Sequence, residues 1–320
     1  MNSARARSLS SLQPFGRGPA GRTGVLAPTA LAVALVVSAP LIAVLASLGR
    51  PFGDTIAHVA ATTGPAYAAG TLGLMAATGF FATIIGAGTA LAITLADFPG
   101  RRLFAFALAA PLAVPAYIAA YAYGDFFGPF GAFAGISGGL AVDVKSFWGA
   151  VFVLTMTLYP YVYLAARAAF EVRSGAYFEA ARLAGVSPLR AATGLVAPSA
   201  GPAIGGAALL VMMETAADFG VADFFGVSTL SVGVFRTWNA FGDVVAAGQL
   251  ASLLVLVGIV LVTLESACRR GAAHEGTRAG RARRDLALRG PAAAGAVLLC
   301  AAPVLFGAIV PVAVIASKTD

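Results

Sequence analysis

Two carboxylates four residues apart, Glu214 and Asp218, close an apolar stretch of the 320-residue chain. A charged carboxylate at the centre of a membrane helix costs roughly 2.5 to 3.5 kcal/mol, so such a group faces protein or water and is a candidate for meeting a polar or cationic solute. At a spacing of i, i+4 the two share one helix face. Two readings stand: the pair lines a polar pathway, or it forms a solvated rim at the outer end of a short helix. Other chemistry-bearing residues are sparse. His58 and His274 are the only histidines and lie far apart, and Cys268 and Cys300 show no CxxC spacing. Neither a metal centre, nor a histidine acid/base pair, nor a disulfide framework is predicted. Tyr117, Tyr121 and Tyr123 suit an interfacial aromatic belt, whereas Tyr159, Tyr161 and Tyr163 flank Pro160 and suit packing in a helix kinked by that proline. No catalytic residue and no cofactor is predicted.

The elements that must position these groups are membrane helices. Hydrophobic residues make up 59% of the chain and charged residues 11%, with a mean hydropathy of +0.87. That composition belongs to integral membrane proteins. A bilayer core of about 30 Å needs roughly 20 apolar residues in a helix. Seven runs meet or approach that length: 26–48, 66–96, 103–123, 147–169, 201–217, 244–264 and 291–317, the fifth being the shortest. An all-α membrane bundle is predicted.

Short cytoplasmic loops carry an excess of Lys and Arg. Seventeen of the 21 basic residues fall in alternate loops: Arg5, Arg7, Arg17 and Arg22 before the first run, Arg101 and Arg102 after the second, Arg167, Arg173, Arg182 and Arg190 around the 170–200 segment, and seven from Arg269 to Arg289. Arg50, Lys145, Arg236 and Lys318 share the other loops with aspartates. The pattern places the amino terminus in the cytoplasm, and the net charge of +7 reads as topology, with no nucleic-acid partner. Residues 1–25, basic, free of acids and rich in Ser, Gly and Pro, read as a disordered cytoplasmic tail, and the long first run as a retained anchor. The tail contains GRGPAGRT (16–23), which fits GxGxxG and nearly fits a phosphate loop, but Arg22 stands where that loop needs Lys and no strand precedes it. It is set aside as coincidence.

Between the fourth and fifth runs lies EAARLAGVSPLRAATGLVAP, Glu179 to Pro198. Ala180, Ala181 and Ala184 favour a helix with small side chains that another surface can approach closely. Gly185 suits the left-handed position past a helix end, and Ser187-Pro188 supplies a cap and a first helical position. Two short helices across a tight turn are expected, the second ending at Gly194. Such a knob suits something that a soluble partner grips.

Glu179-Ala180-Ala181, Gly185 and Leu195-Val196-Ala197-Pro198 resemble the EAA signature, EAA(x3)G(x9)IxLP, of permease subunits in binding-protein-dependent type I ABC importers; Leu195 and Ala197 depart from the usual Ile and Leu. The resemblance covers about residues 26–265. It implies a bundle of six core helices in the bacterial inner membrane and a coupling loop at 170–200, with Glu179, Ala180, Ala181, Gly185 and Pro198 coupling to cytoplasmic ABC ATPase subunits. An external or periplasmic binding protein would deliver the substrate, a second permease half or subunit would complete the pathway, and ATP hydrolysis would lie in the separate ATPase. Met213 to Trp238, METAADFGVADFFGVSTLSVGVFRTW, is similar to the corresponding segment of ferric-iron permeases. Permeases for thiamine, molybdate and polyamines share the scaffold. An ion-gradient-driven transporter is the rival class, and it would leave the coupling loop without a role.

Six runs complete a core by residue 265, yet an Arg-rich linker (266–290) leads into a seventh run within 291–320. Ferric-iron permeases of this type commonly carry two fused halves. The seventh run resembles the opening helix of a second half, and the chain is expected to be the first half of a longer permease; an appended anchor on a complete subunit is the alternative.

Overall fold

The computed structural model describes residues 23–129, 131–138, 142–273 and 286–318. The tail up to residue 22 with most of its phosphate-loop look-alike, His274 and the arginines from 278 to 284 lie outside the described residues. In chain order the helices are α1 (Thr23–Ser47), α2 (Asp54–Ala61), α3 (Gly64–Leu95), α4 (Arg101–Ala107), α5 (Ala116–Phe127), α6 (Ala132–Ile136), α7 (Phe147–Leu183), α8 (Pro188–Ala191) and α9 (Ala197–Ser199). They continue with α10 (Gly201–Ala217), α11 (Gly220–Phe224), α12 (Leu230–Phe241), α13 (Val244–Ala273), α14 (Pro291–Val304) and α15 (Val310–Ala316). The strands described are two-residue segments, β1 (Ala96–Asp97) and β2 (Leu286–Ala287), paired in parallel so that the linker returns beside the end of α3.

Five helices are long and apolar enough to cross a membrane, and two bent pairs raise the number of spans to as many as seven. The second, sixth and seventh runs are spanning helices as expected. The third run is not one straight span. Residues 101–113 and 116–136 meet at 91° because Pro115 has no N–H to donate and holds Val114 extended, at φ −101° and ψ 111°. The fifth is likewise preceded by a segment, 192–199, bent from α10 by 58°. The fourth continues unbroken through Pro160 to Leu183.

The central pair is α3 against α7, with α10 packed on both and α13 on α10. Lipid offers no hydrophobic drive to bring helices together, so close backbone approach and van der Waals packing must do so. At Gly86 a Cβ would lie 2.7 Å from Val162 Cβ and 2.8 Å from the Tyr159 carbonyl, which leaves glycine as the residue that fits. One core cluster joins the lower parts of α3 and α7 to α4, α10 and α14; a second joins their other halves to α5 and α11. None of the spanning window of α1 is buried; the helix packs on α13, where Gln249 donates to the carbonyls of Ser47 and Arg50, each at 3.2 Å.

Two five-residue π-turns, 192–196 and 305–309, each end two residues before a proline, Pro198 and Pro311. A proline ring in an α-helix collides with the carbonyl four residues back, and the wider turn relieves that clash. In the second, the Val310 N–H reaches the Leu305 carbonyl and Pro311 has no N–H, which leaves the Phe306 carbonyl for the Tyr123 hydroxyl to donate to. Tyr123 is therefore buried between helices and not part of an interfacial belt, whereas Tyr117 and Tyr121 are exposed.

Candidate functional site

The projecting end of α7 is set by length. Its 37 residues extend about 55 Å at 1.5 Å per residue, well beyond a bilayer core of about 30 Å. The spanning window is Phe147–Val172, so Glu179, Ala180 and Ala181 lie on the extension. The first of the two short helices expected from the sequence is thus the tail of the fourth span, since no proline stands between Arg167 and Ala184 and the helix runs on through the one glycine there, buried Gly175. The Ala184 N–H closes the last helical bond to the Ala180 carbonyl (3.1 Å), and Gly185 ends the helix in the left-handed region at φ +69°, with the Val186 N–H donating back to the Ala181 carbonyl (2.8 Å). A left-handed glycine followed by this 6→1 bond marks a Schellman cap. A Cβ at Gly185 would meet nothing within 4 Å, so the glycine serves the backbone angle alone. Pro188 opens α8, as expected, but Gly194 does not end the returning helix: the chain passes through the 192–196 π-turn into α9, which holds Pro198.

Ala181 is buried in the core cluster that contains Phe178, Ala191, Ala192 and Val196, and this fixes the knob against the bundle. Glu179 and Ala180 are exposed, and Leu183 is 91% exposed. Covering a leucine removes about 1.5 to 3 kcal/mol of unfavourable hydration, which makes the exposed tip of the knob a candidate contact surface.

The second candidate surface runs along α10. A groove of about 810 Å³ between α7, α10 and α13 includes Tyr161, Gly206, Leu210 and Met213 and ends at the Glu265–Arg269 ion pair (2.9 Å). A smaller cavity of about 240 Å³ holds Glu214 and Asp218. Tyr161 lines both, so the two are neighbours across that side chain. Leu154, Thr157, Leu158 and Tyr161 form one stripe of α7 on one wall of this cavity, and the break of the third span, from Leu112 to Ala116, forms another. The sequence assigned Tyr161 to packing; the structure buries Tyr159 and Tyr163 and leaves Tyr161 in the groove. Both carboxylates line the cavity, but they differ in use. Asp218 accepts from the Val221 N–H at 2.7 Å and so caps the turn into α11, while Glu214 is exposed. Among the described residues no three His, Cys, Asp or Glu side chains gather as a metal site.

Two faces of the bundle carry distinct ion pairs. At one end Lys318 meets Asp125 (3.1 Å) and Arg236 approaches Asp223 (3.9 Å); towards the knob end lie Arg167–Glu171 (2.8 Å) and Arg101–Asp97 (3.9 Å). Arg167, grouped in the sequence with the loop cations, lies inside the spanning window.

No protein-family model matches the chain. A curated relative is the Fe(3+)-transport system permease protein FbpB 2 of Haemophilus influenzae, 24% identical over 165 residues that cover 52% of this chain and 30% of that protein. In fold, the chain superposes on a chain of a bacterial alginate ABC transporter solved in complex with an alginate pentasaccharide-bound periplasmic protein, with a TM-score of 0.62 and 15% identity over 78% of this chain and 94% of that one. A second structure, of a bacterial ABC transporter involved in the import of alginate, gives a TM-score of 0.60 at 14% identity over 78% and 95%. The chain therefore carries the transmembrane fold of ABC importer permeases and resembles one of them in sequence.

Proposed function

We propose that this chain is the membrane subunit of an ATP-driven importer, that its cargo is ferric iron, and that the α7 extension is the contact with a cytoplasmic ABC ATPase. The observation that carries the reading is the extension itself: a spanning helix prolonged past the membrane, ended by a Schellman cap at Gly185, and tipped by an exposed Leu183. Glu179, Ala180, Ala181, Gly185 and Pro198 form the coupling element. Its position between the fourth and fifth spans, with the basic loops on the same side, supports an amino terminus in the cytoplasm of a bacterial inner-membrane protein. Ferric iron as cargo is supported by the resemblance to the Fe(3+)-transport permease and by the exposed Glu214 in the cavity beside the groove. An external binding protein would deliver the cargo, and a second permease half or subunit would face the groove along α10.

Leu183→Asp and Gly185→Pro are expected to leave membrane expression intact while reducing recovery of the co-purifying ATPase by more than about tenfold, the equivalent of roughly 1.4 kcal/mol of lost contact. Full ATPase recovery with either variant would sink the coupling assignment. For the cargo, uptake of labelled ferric iron, thiamine and molybdate is compared between a deletion strain and its complemented parent; restoration confined to iron is the expected result.

A further inference from the structure

The break in the third span exposes one carbonyl that the helix cannot satisfy. In an unbroken helix the Ala105 oxygen would accept from the Ala109 N–H, but that N–H turns to Phe106 (3.0 Å) as the chain tightens towards the 110–113 turn. Two donors from α7 replace it: the Tyr163 hydroxyl at 2.9 Å and Arg167 Nη1 at 2.8 Å. These donors also touch each other at 3.2 Å, and Arg167 Nε holds Glu171 at 2.8 Å.

One hydroxyl would suffice to satisfy one carbonyl. Bringing a guanidinium into the spanning window as well costs desolvation, so its presence calls for a reason beyond saturation. Its fork geometry supplies one. Arg167 grips the broken span through one nitrogen and its own helix, through Glu171, with another, which fixes the angle between the two elements in a way that a point charge on a flexible stem does not. The element so gripped is not incidental. A few residues on, Val114 and Pro115 form a wall of the cavity that holds Glu214 and Asp218, while α7 itself runs on to the docking tip at Leu183.

We propose that Tyr163 and Arg167 are positioning residues that carry a displacement of the projecting end of α7 to the broken third span, so that the cavity wall at Val114 moves when the knob moves. This rests on the importer reading, and the experiment separates the two. Single cysteines are placed at Val114 and at exposed Thr193, in the full chain carrying Cys268→Ser and Cys300→Ala, and the transporter is purified from membranes with its ATPase. Labelling by an impermeant maleimide is compared without nucleotide and with Mg-ATP and vanadate. In the parent both positions change their labelling rate between the two states. With Arg167→Lys plus Tyr163→Phe, the change at Thr193 persists while that at Val114 shrinks about tenfold, within the usual range of coupling between sites.

A merely structural pair would not produce that split. If the variant keeps the parent's nucleotide-dependent change at both positions, the positioning role is overturned. If neither position responds in the parent, the importer reading fails and the proposal falls with it. Tyr163→Phe alone, which preserves ring packing, guards against misfolding: it retains Arg167 and should keep most of the response at Val114, and complete loss there would overturn the primacy given to the arginine.

Discussion

Glu214 and Asp218 were legible in the sequence as a pair on one face, and the structure does bring both to one cavity. What spacing could not convey is that they do different jobs. Asp218 holds the Val221 N–H and so shapes the turn into α11, whereas Glu214 carries no such bond among those described. Asp218→Ala should therefore lower stability by about 1 kcal/mol, the usual cost of a lost cap. Glu214→Gln should leave the detergent-solubilised melting temperature unchanged and reduce uptake of the proposed ferric cargo. A melting curve and an uptake assay on the two variants check this division of labour; equal losses of stability would refute it. Gly185 was equally legible, because a glycine one residue ahead of Ser187-Pro188 points to a left-handed helix end, and its φ of +69° bears that out. Tyr161 and Arg167 were not. Nothing in a sequence distinguishes the one tyrosine of three that faces a groove, and Arg167 looks like a loop cation until the helix is seen to continue past it.

Runs with proline inside a continuing helix, the first, fourth and seventh, were placed as well as those without it; the third, broken at Pro115, was not. Composition identifies the third run as membrane-embedded, but the 91° turn depends on where Val114 is driven by Pro115 and on what absorbs the freed carbonyls, both of which are tertiary matters. The continuity of α7 through Pro160 is the converse case. The Met156 carbonyl, which that proline leaves without its helical donor, lies against Gly307 of the seventh span, where a Cβ would sit 2.4 Å away. The π-turn before Pro311 makes a measurable claim about Tyr123. In the parent, Tyr123→Phe removes the donor to the Phe306 carbonyl and should cost about 1 kcal/mol. In a Pro311→Ala background the restored N–H can serve the backbone, and the same substitution should become nearly neutral. A double-mutant cycle on thermal unfolding reads the difference; additive effects would show that the proline is not what frees the carbonyl.

At the scale of the molecule, the fold class was readable from hydropathy, because the bilayer admits few backbone solutions. The seventh span is where sequence and structure add to each other. Read along the chain it resembles the opening helix of a second half, with an appended anchor as the alternative; in the structure α14 and α15 pack against α3, α4 and α5, and Lys318 reaches Asp125. It is an integral layer of this bundle. The energy source divides the importer reading from its rival. In right-side-out vesicles loaded with ATP, uptake should stop on ATP depletion and persist when the proton and sodium gradients are collapsed; the reverse pattern would identify a gradient-driven carrier.

The close approach at Gly86 has a mechanical meaning. Were α7 to tilt about this contact, at Tyr159 and Val162, its arms would measure about 32 Å from Val162 to the tip at Leu183 and about 22 Å to the start at Phe147, at 1.5 Å per residue. A rod held there is a lever, and a lever's two arms swing in opposite senses. A pull on the docking tip outward from the bundle would push the far end inward, at about two thirds of the amplitude by the ratio of the arms. Opening on one side of the membrane and closing on the other would then need no signal passed between two gates, because both are ends of the same helix.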